Sequence, residues 1–197
     1  MTIAALLLLA AAPGWPLAPA RPEDRAAEAA FRACPGGEAL AKTAILSWAP
    51  LTGAIVRHRA IRERQHLEFP EHGDRILFHA LDLGKGSERS IVAVRGADGT
   101  WHVDEAGEKE LALATPLMKA MPHKTYDLPG EESRRVDALL EDPCLYASPR
   151  FMAGRTREMS GPAERLEILT AGHQAVLGWF AVRSPAEDAL VKSIVRD

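Results

Sequence analysis

Histidines and one run of arginines are the residues whose types and spacing suit chemistry in this chain. Four of its seven histidines, His58, His66, His72 and His79, stand close together in sequence. Imidazoles grouped in this way can ligate zinc or move a proton near neutral pH. The tightest pair lies in His66-Leu67-Glu68-Phe69-Pro70-Glu71-His72, which is neither H-E-x-x-H nor H-x-x-E-H. Pro70 also forbids the continuous helix that would put two such ligands on one face. Neither a metal site nor a cofactor is expected.

His79 falls in the alternating run from Arg75 to Leu83, on the face shared by Leu77, Leu81 and Leu83. Strand alternation allows either face to be the buried one. The commoner role of a lone strand histidine is a packed, hydrogen-bonded one. Paired with His102 across neighbouring strands and with a carboxylate such as Asp104, Asp82 or Glu105, His79 would instead supply acid–base chemistry. That set describes a small exported hydrolase, working alone or around a metal ion.

Arg57, Arg59, Arg62 and Arg64 make the second candidate, a basic run suited to an anionic polysaccharide, a lipid head group or a phosphate. The plainer account is a solvated face whose charge is offset by Glu63, Glu68, Glu71 and Asp74. Nucleophile motifs are missing, with no G-x-S-x-G elbow and no S-x-x-K. Gly84-Lys85-Gly86 is too short for a P-loop and reads as a turn. The net charge of −3 gives no general attraction to nucleic acid.

The elements that must position these residues follow from pattern. Pro22 to Cys34 reads as a helix ended by Pro35-Gly36-Gly37, and Glu38 to Ser47 as a short helix or the lead into a strand. Strand signals begin at Ala54-Ile55-Val56. They continue through Arg75 to Leu83, Ser90 to Val94 and Thr100 to Val103, with a hairpin over Ser90 to Val103. Leu111 to Met121 is moderately helical with a break at Pro116, and Glu131 to Glu141 is a helix that Asp142-Pro143 stops, leaving Cys144 in a loop. Pro149 to Pro162 reads as an exposed connection. Arg165 to Leu169 and Gln174 to Val182 form a second hairpin about Ala171-Gly172. A helix capped by Ser184, with Pro185 and Glu187 completing a capping box, then runs to Val195. Trp48, Trp101 and Trp179 each adjoin apolar runs and are expected in the core. The whole predicts an α+β fold: a largely antiparallel sheet built from a meander and a C-terminal hairpin, packed with several short helices.

The opening run from Ile3 to Ala12 is uncharged, too short to span a bilayer, and followed by Ala18-Pro19-Ala20. Residues 1–20 are therefore read as a signal peptide and 21–197 as a single globular α+β domain without stable membrane insertion. In an oxidising compartment the two cysteines, Cys34 and Cys144, should pair. Together these features predict a periplasmic or secreted protein. Its expected role is that of a non-enzymatic binding or accessory domain for an envelope component or protein partner, using the arginine run or a face of the sheet.

Overall fold

The computed structural model describes residues 22–43, 52–82, 85–112, 115–147, 163–180 and 183–196. The predicted leader, Trp48, the Trp179 side chain and the connection from Pro149 to Pro162 lie outside the described residues.

Two helices open the described chain, α1 (Pro22–Ala33) and α2 (Gly37–Thr43), and α3 (Thr52–Arg64) follows. Three strands then form the meander: β1 (Arg75–Asp82), β2 (Ser87–Arg95) and the long β3 (Trp101–Ala112). Next come β4 (Thr115–Ala120), β5 (Lys124–Asp127), α4 (Gly130–Leu140) and α5 (Pro143–Tyr146). The hairpin β6 (Ala163–Leu169) and β7 (Gln174–Phe180) precedes the last helix, α6 (Pro185–Ile194). The strands make one antiparallel sheet in the order β4-β3-β2-β1-β6-β7, with β5 on the same edge of β3 as β4 but nearer its start. The α+β expectation, meander and C-terminal hairpin included, matches this architecture.

Strand pleating divides the sheet into two faces. Ile76, Phe78, Ile91, Ala93, Trp101, Val103, Leu166, Ile168 and Leu177 line one face and are buried there against α4, α5 and α6. Trp101 shows how its polar end is accommodated in this core. Its indole N–H donates to Asp137 Oδ1 at 2.9 Å, and its backbone N–H donates to Ser133 Oγ at 3.1 Å, both side chains one turn apart on α4. Ser184 caps α6 with the full capping box, its hydroxyl accepting from Glu187 N and Glu187 Oε2 accepting from Ser184 N. The Cys34–Cys144 disulfide, with its Cα atoms 5.7 Å apart, fastens the turn between α1 and α2 to α5.

Three local expectations are corrected. Ala54-Ile55-Val56 is the start of helix α3 rather than of a strand, because the residues that follow meet the sheet at helical spacing. The described part of Leu111 to Met121 is strand rather than helix: β3 runs to Ala112 and Thr115–Ala120 is edge strand β4. Pro116 is tolerated there because an edge strand has one side without a ladder to supply, and the β3–β4 register shifts between Glu110 and Ala112. Cys144 sits in the short helix α5 instead of a loop, since the Asp142 side chain accepts from Cys144 N at 2.8 Å and caps a first turn opened by Pro143.

Candidate functional site

Helix α3 lies over the second face of the sheet, against β1, β2 and β3. On that face Leu77, Val92 and Ala106 are buried beside polar groups that carry the chemistry: His79, Glu88, Ser90 and Glu108. The helix meets them with His58, Ile61, Arg62 and Gln65, an i, i+3, i+4, i+7 stripe in which only Ile61 is aliphatic. A helix normally docks through apolar burial; α3 docks largely through charge.

Each arginine except Arg59 is gripped by a carboxylate from the sheet. Arg57 makes a two-pronged contact to Glu88, with Nε and Nη2 both at 2.7 Å from its oxygens. Arg64 holds Glu108 in the same fork geometry at 2.8 and 2.6 Å. Arg62 is 3% exposed and donates to Asp104 Oδ1 and to the Glu68 carbonyl, each at 2.6 Å. Gln65 completes the seam by donating to the Gly107 carbonyl at 2.7 Å. Arg59 lies over the Phe69 ring at 4.5 Å and 3.4 Å from Glu71, and like Arg57 and Arg64 it is about half exposed. The four arginines of the basic run are thus on one helix, Arg57 and Arg64 on one flank and Arg59 on the other, and the offset expected from Glu63, Glu68, Glu71 and Asp74 comes mainly from Glu88, Asp104 and Glu108 on the strands.

Beneath the helix two imidazoles stack, His58 over His79, with ring centroids 5.8 Å apart. Phe69 closes the stack edge-on to His58 at 5.1 Å. Burial, reinforced by the nearby His79, Arg62 and Arg165, pushes His58 down to about 3, so it is neutral at ordinary pH. Burial also pushes the Glu88 carboxyl up, but hydrogen bonds from His79 and Arg57 and their charges outweigh it and hold Glu88 at about 2. An ionised Glu88 only accepts, so the 2.6 Å contact is His79 Nε2–H donating to Glu88 Oε1. Three buried polar atoms on this seam have no hydrogen-bond partner: His58 Nε2, Arg62 Nη1 and Ser90 Oγ.

The acid–base set of His79, His102 and Asp104 is not brought together. All three project from the same face, yet His79 is opposite Ser90, and Ser90 is opposite Ala106, four residues along β3 from His102. His102 is half-exposed and donates through Nδ1 to Asp127 at 2.6 Å. Asp104 accepts from Arg62 and from His123 Nε2 at 2.8 Å. Sequence reading missed Glu88 and Ser90, and it weighed His58 only as one of four clustered histidines. Their signal is present but faint: Glu88 and Ser90 share the strand face of the apolar Val92 and Val94, and the stripe on α3 has helical spacing without helical hydrophobicity.

A second charged region lies at the far end of the other face, past the apolar core. Register places Lys109 of β3 directly opposite Lys119 of β4, with Ser87 and Asp82 continuing the row across β2 and β1. Arg89 and Lys124 flank it, and both approach Glu105, at 2.6 and 3.9 Å. Lys85 pairs with Asp82 at 3.4 Å. Among the described residues five cations here face two carboxylates, and Lys109 and Lys119, both exposed, have no acidic partner. By contrast the cavity of about 590 Å³ between α2 and the start of α6 contains one cation, Arg183, already held by Glu164 and Asp188. Among the described residues no group of three His, Cys, Asp or Glu side chains is placed to hold a metal ion, and no helix is long and apolar enough to cross a membrane.

Fold and site together define an α+β protein with an ionic layer on one face of its sheet and a lysine row at the end of the other. Compared with known proteins, the chain matches no family model, no curated protein and no solved structure.

Proposed function

We propose that this is an exported binding or accessory protein of the periplasm or cell exterior, and that its ligand is an anionic envelope polymer bound at the lysine row. One observation carries the reading: Lys109 and Lys119, both exposed, stand directly across from one another on neighbouring strands, with no acidic partner on either among the described residues. Like charges placed opposite each other on neighbouring strands destabilise the sheet, so a polyanion that neutralises them gains binding energy from the relief of that repulsion. Arg89 and Lys124 widen the positive field on the same side. The disulfide suits an oxidising compartment, as does the small-x-small pattern ahead of Arg21.

The test is elution from a sulfated resin in a salt gradient at pH 7.5. Lys109→Ala/Lys119→Ala should elute at clearly lower salt than the parent while keeping its circular dichroism, whereas Lys192→Ala, which removes a cation from α6, should elute almost with the parent. Equal elution of the parent and the double variant would reject the lysine row as the binding surface. Intact mass of the exported protein, with a start at Arg21 expected, checks the export half of the reading.

A further inference from the structure

We propose that α3 is a latent second site for the same polyanion, closed at neutral pH by the carboxylates of the sheet and opened in acid, when the helix lifts and its arginines become free to bind sulfate or phosphate groups. This rests on the reading of the protein as a polyanion binder, but it uses none of the lysine-row residues.

The argument begins with what Arg57 and Arg64 hold. Each presents its guanidinium fork to two carboxylate oxygens at 2.6 to 2.8 Å, the geometry in which the same fork takes two oxygens of a sulfate or phosphate. Glu88 and Glu108 therefore act as internal substitutes for an anionic ligand. Arg62 is the third member, and its Nη1 is buried without a partner, a donor the closed arrangement leaves unused. Arg59, over Phe69 on the opposite flank of the helix, stays outside this set.

Acid acts on this seam from both sides. From the helix, His58 sits neutral and buried with Nε2 unpartnered, so gaining a proton is far easier once the helix has left. From β2, Glu88 is ionised only because His79 and Arg57 hold it, and protonation dissolves both contacts. From β3, Asp104 and Glu108 are the remaining acceptors of the arginines, with His123 also bound to Asp104. From β6, Arg165 adds positive charge near His58 and is itself paired with Glu167 at 2.7 Å. From the connection after α3, Glu68 contributes its carbonyl to Arg62 and Glu71 its carboxylate to Arg59. Every protonation in this set either adds a positive charge under the helix or removes a negative one. What opposes release is the apolar burial of Ile61, the one fully buried aliphatic side chain on the helix among the described residues, and of Leu77, Val92 and Ala106 on the face beneath it. His58 alone shifts the docked–released balance by about thirtyfold between neutral pH and pH 5, and apparent affinity at the α3 site rises with the released fraction.

The experiment uses a heparin-derived oligosaccharide as probe, with binding measured by titration calorimetry at pH 7.5 and 5.0. The full protein should bind about thirtyfold more tightly at pH 5.0. Arg57→Ala/Arg64→Ala should lose most of that gain. Lys109→Ala/Lys119→Ala should bind weakly at pH 7.5 and keep the gain. Glu88→Gln/Glu108→Gln should already bind at pH 7.5 as the parent does in acid, while Glu131→Gln/Glu132→Gln, the same charge change on α4, should not. If the Glu88 variant does not fold, hydrogen exchange on the parent decides: protection of α3 amides, corrected for intrinsic rate, should fall further at pH 5.0 than that of α4 amides. An acid gain that survives loss of Arg57 and Arg64, or α3 amides that stay as protected as those of α4, overturns the latent site. Loss of neutral-pH binding to the lysine variant is a separate result and bears only on the lysine row.

Discussion

His58 is a neutral imidazole enclosed by charged neighbours, and that placement makes the fold sensitive to acid. Its folded value of about 3 lies below its ordinary one, so between these limits the unfolded chain binds the extra proton. Stability is therefore complete above about pH 6.5 and is lost as the pH falls toward 3. Glu88, held at about 2, acts in the same direction at lower pH: its contribution is present above the ordinary carboxylate range and is lost as the pH falls from about 4.5 toward 2. A urea-unfolding series should show a loss of about 2 kcal/mol between pH 8 and pH 5 from His58 alone. His58→Phe fills a similar volume without a titrating nitrogen, and its curve should be flatter between pH 7 and 5. A variant curve parallel to that of the parent would place the acid sensitivity elsewhere.

At the level of elements, α3 ends in a way that suits a helix held from one side. The Leu67 N–H donates to the Arg62 carbonyl and the His66 N–H to the Glu63 carbonyl, the paired reverse bonds of a Schellman ending. His66 takes the left-handed position there, with φ of 58°, which favours glycine. His66→Gly should raise stability by about 0.5 to 1 kcal/mol, read from the midpoint of thermal or urea unfolding. An unchanged or lower midpoint would mean that the imidazole makes a compensating contact. The contrast with β4 shows how context decides an element. Ala54-Ile55-Val56 has β propensity and is helical because the polar stripe after it needs helical spacing to reach Glu88, Asp104 and Glu108. Thr115–Ala120 includes a proline and is a strand because the outer edge of β3 accepts it.

Taken as a whole, the molecule places apolar helices on one face of the sheet and an ionic helix on the other, and a single covalent link ties its first described helices to α5. The bond spans 110 residues of sequence, and loop closure of that length restricts the unfolded chain strongly. Cys34→Ser/Cys144→Ser should cost about 2 to 5 kcal/mol of unfolding free energy in a denaturant titration. A loss well under 1 kcal/mol would indicate that α1 and α2 are held by their packing instead. Reduction of the wild-type protein should reproduce the loss in the double variant and have no further effect on it.

The sequence by itself determined those features whose cause is local. Alternation marked β1, β2 and the start of β3, Ser184 and Glu187 marked the cap of α6, Gly-rich turns marked the hairpins, and an even pair of cysteines marked the disulfide. It also singled out Arg57, Arg59, Arg62 and Arg64, which lie on α3, and His79, His102 and Asp104, which lie on the sheet face toward that helix without converging. Only the tertiary structure decided their partners. Glu88 and Glu108 are separated from their arginines by 31 and 44 positions, and ion pairing across such distances leaves no periodic trace in the chain. The Lys109–Lys119 pair is likewise set by register, which depends on the bulge before β4 and not on either lysine. A polar stripe on a helix has the spacing of an apolar one but not its hydrophobicity, and for this reason pattern alone did not identify α3.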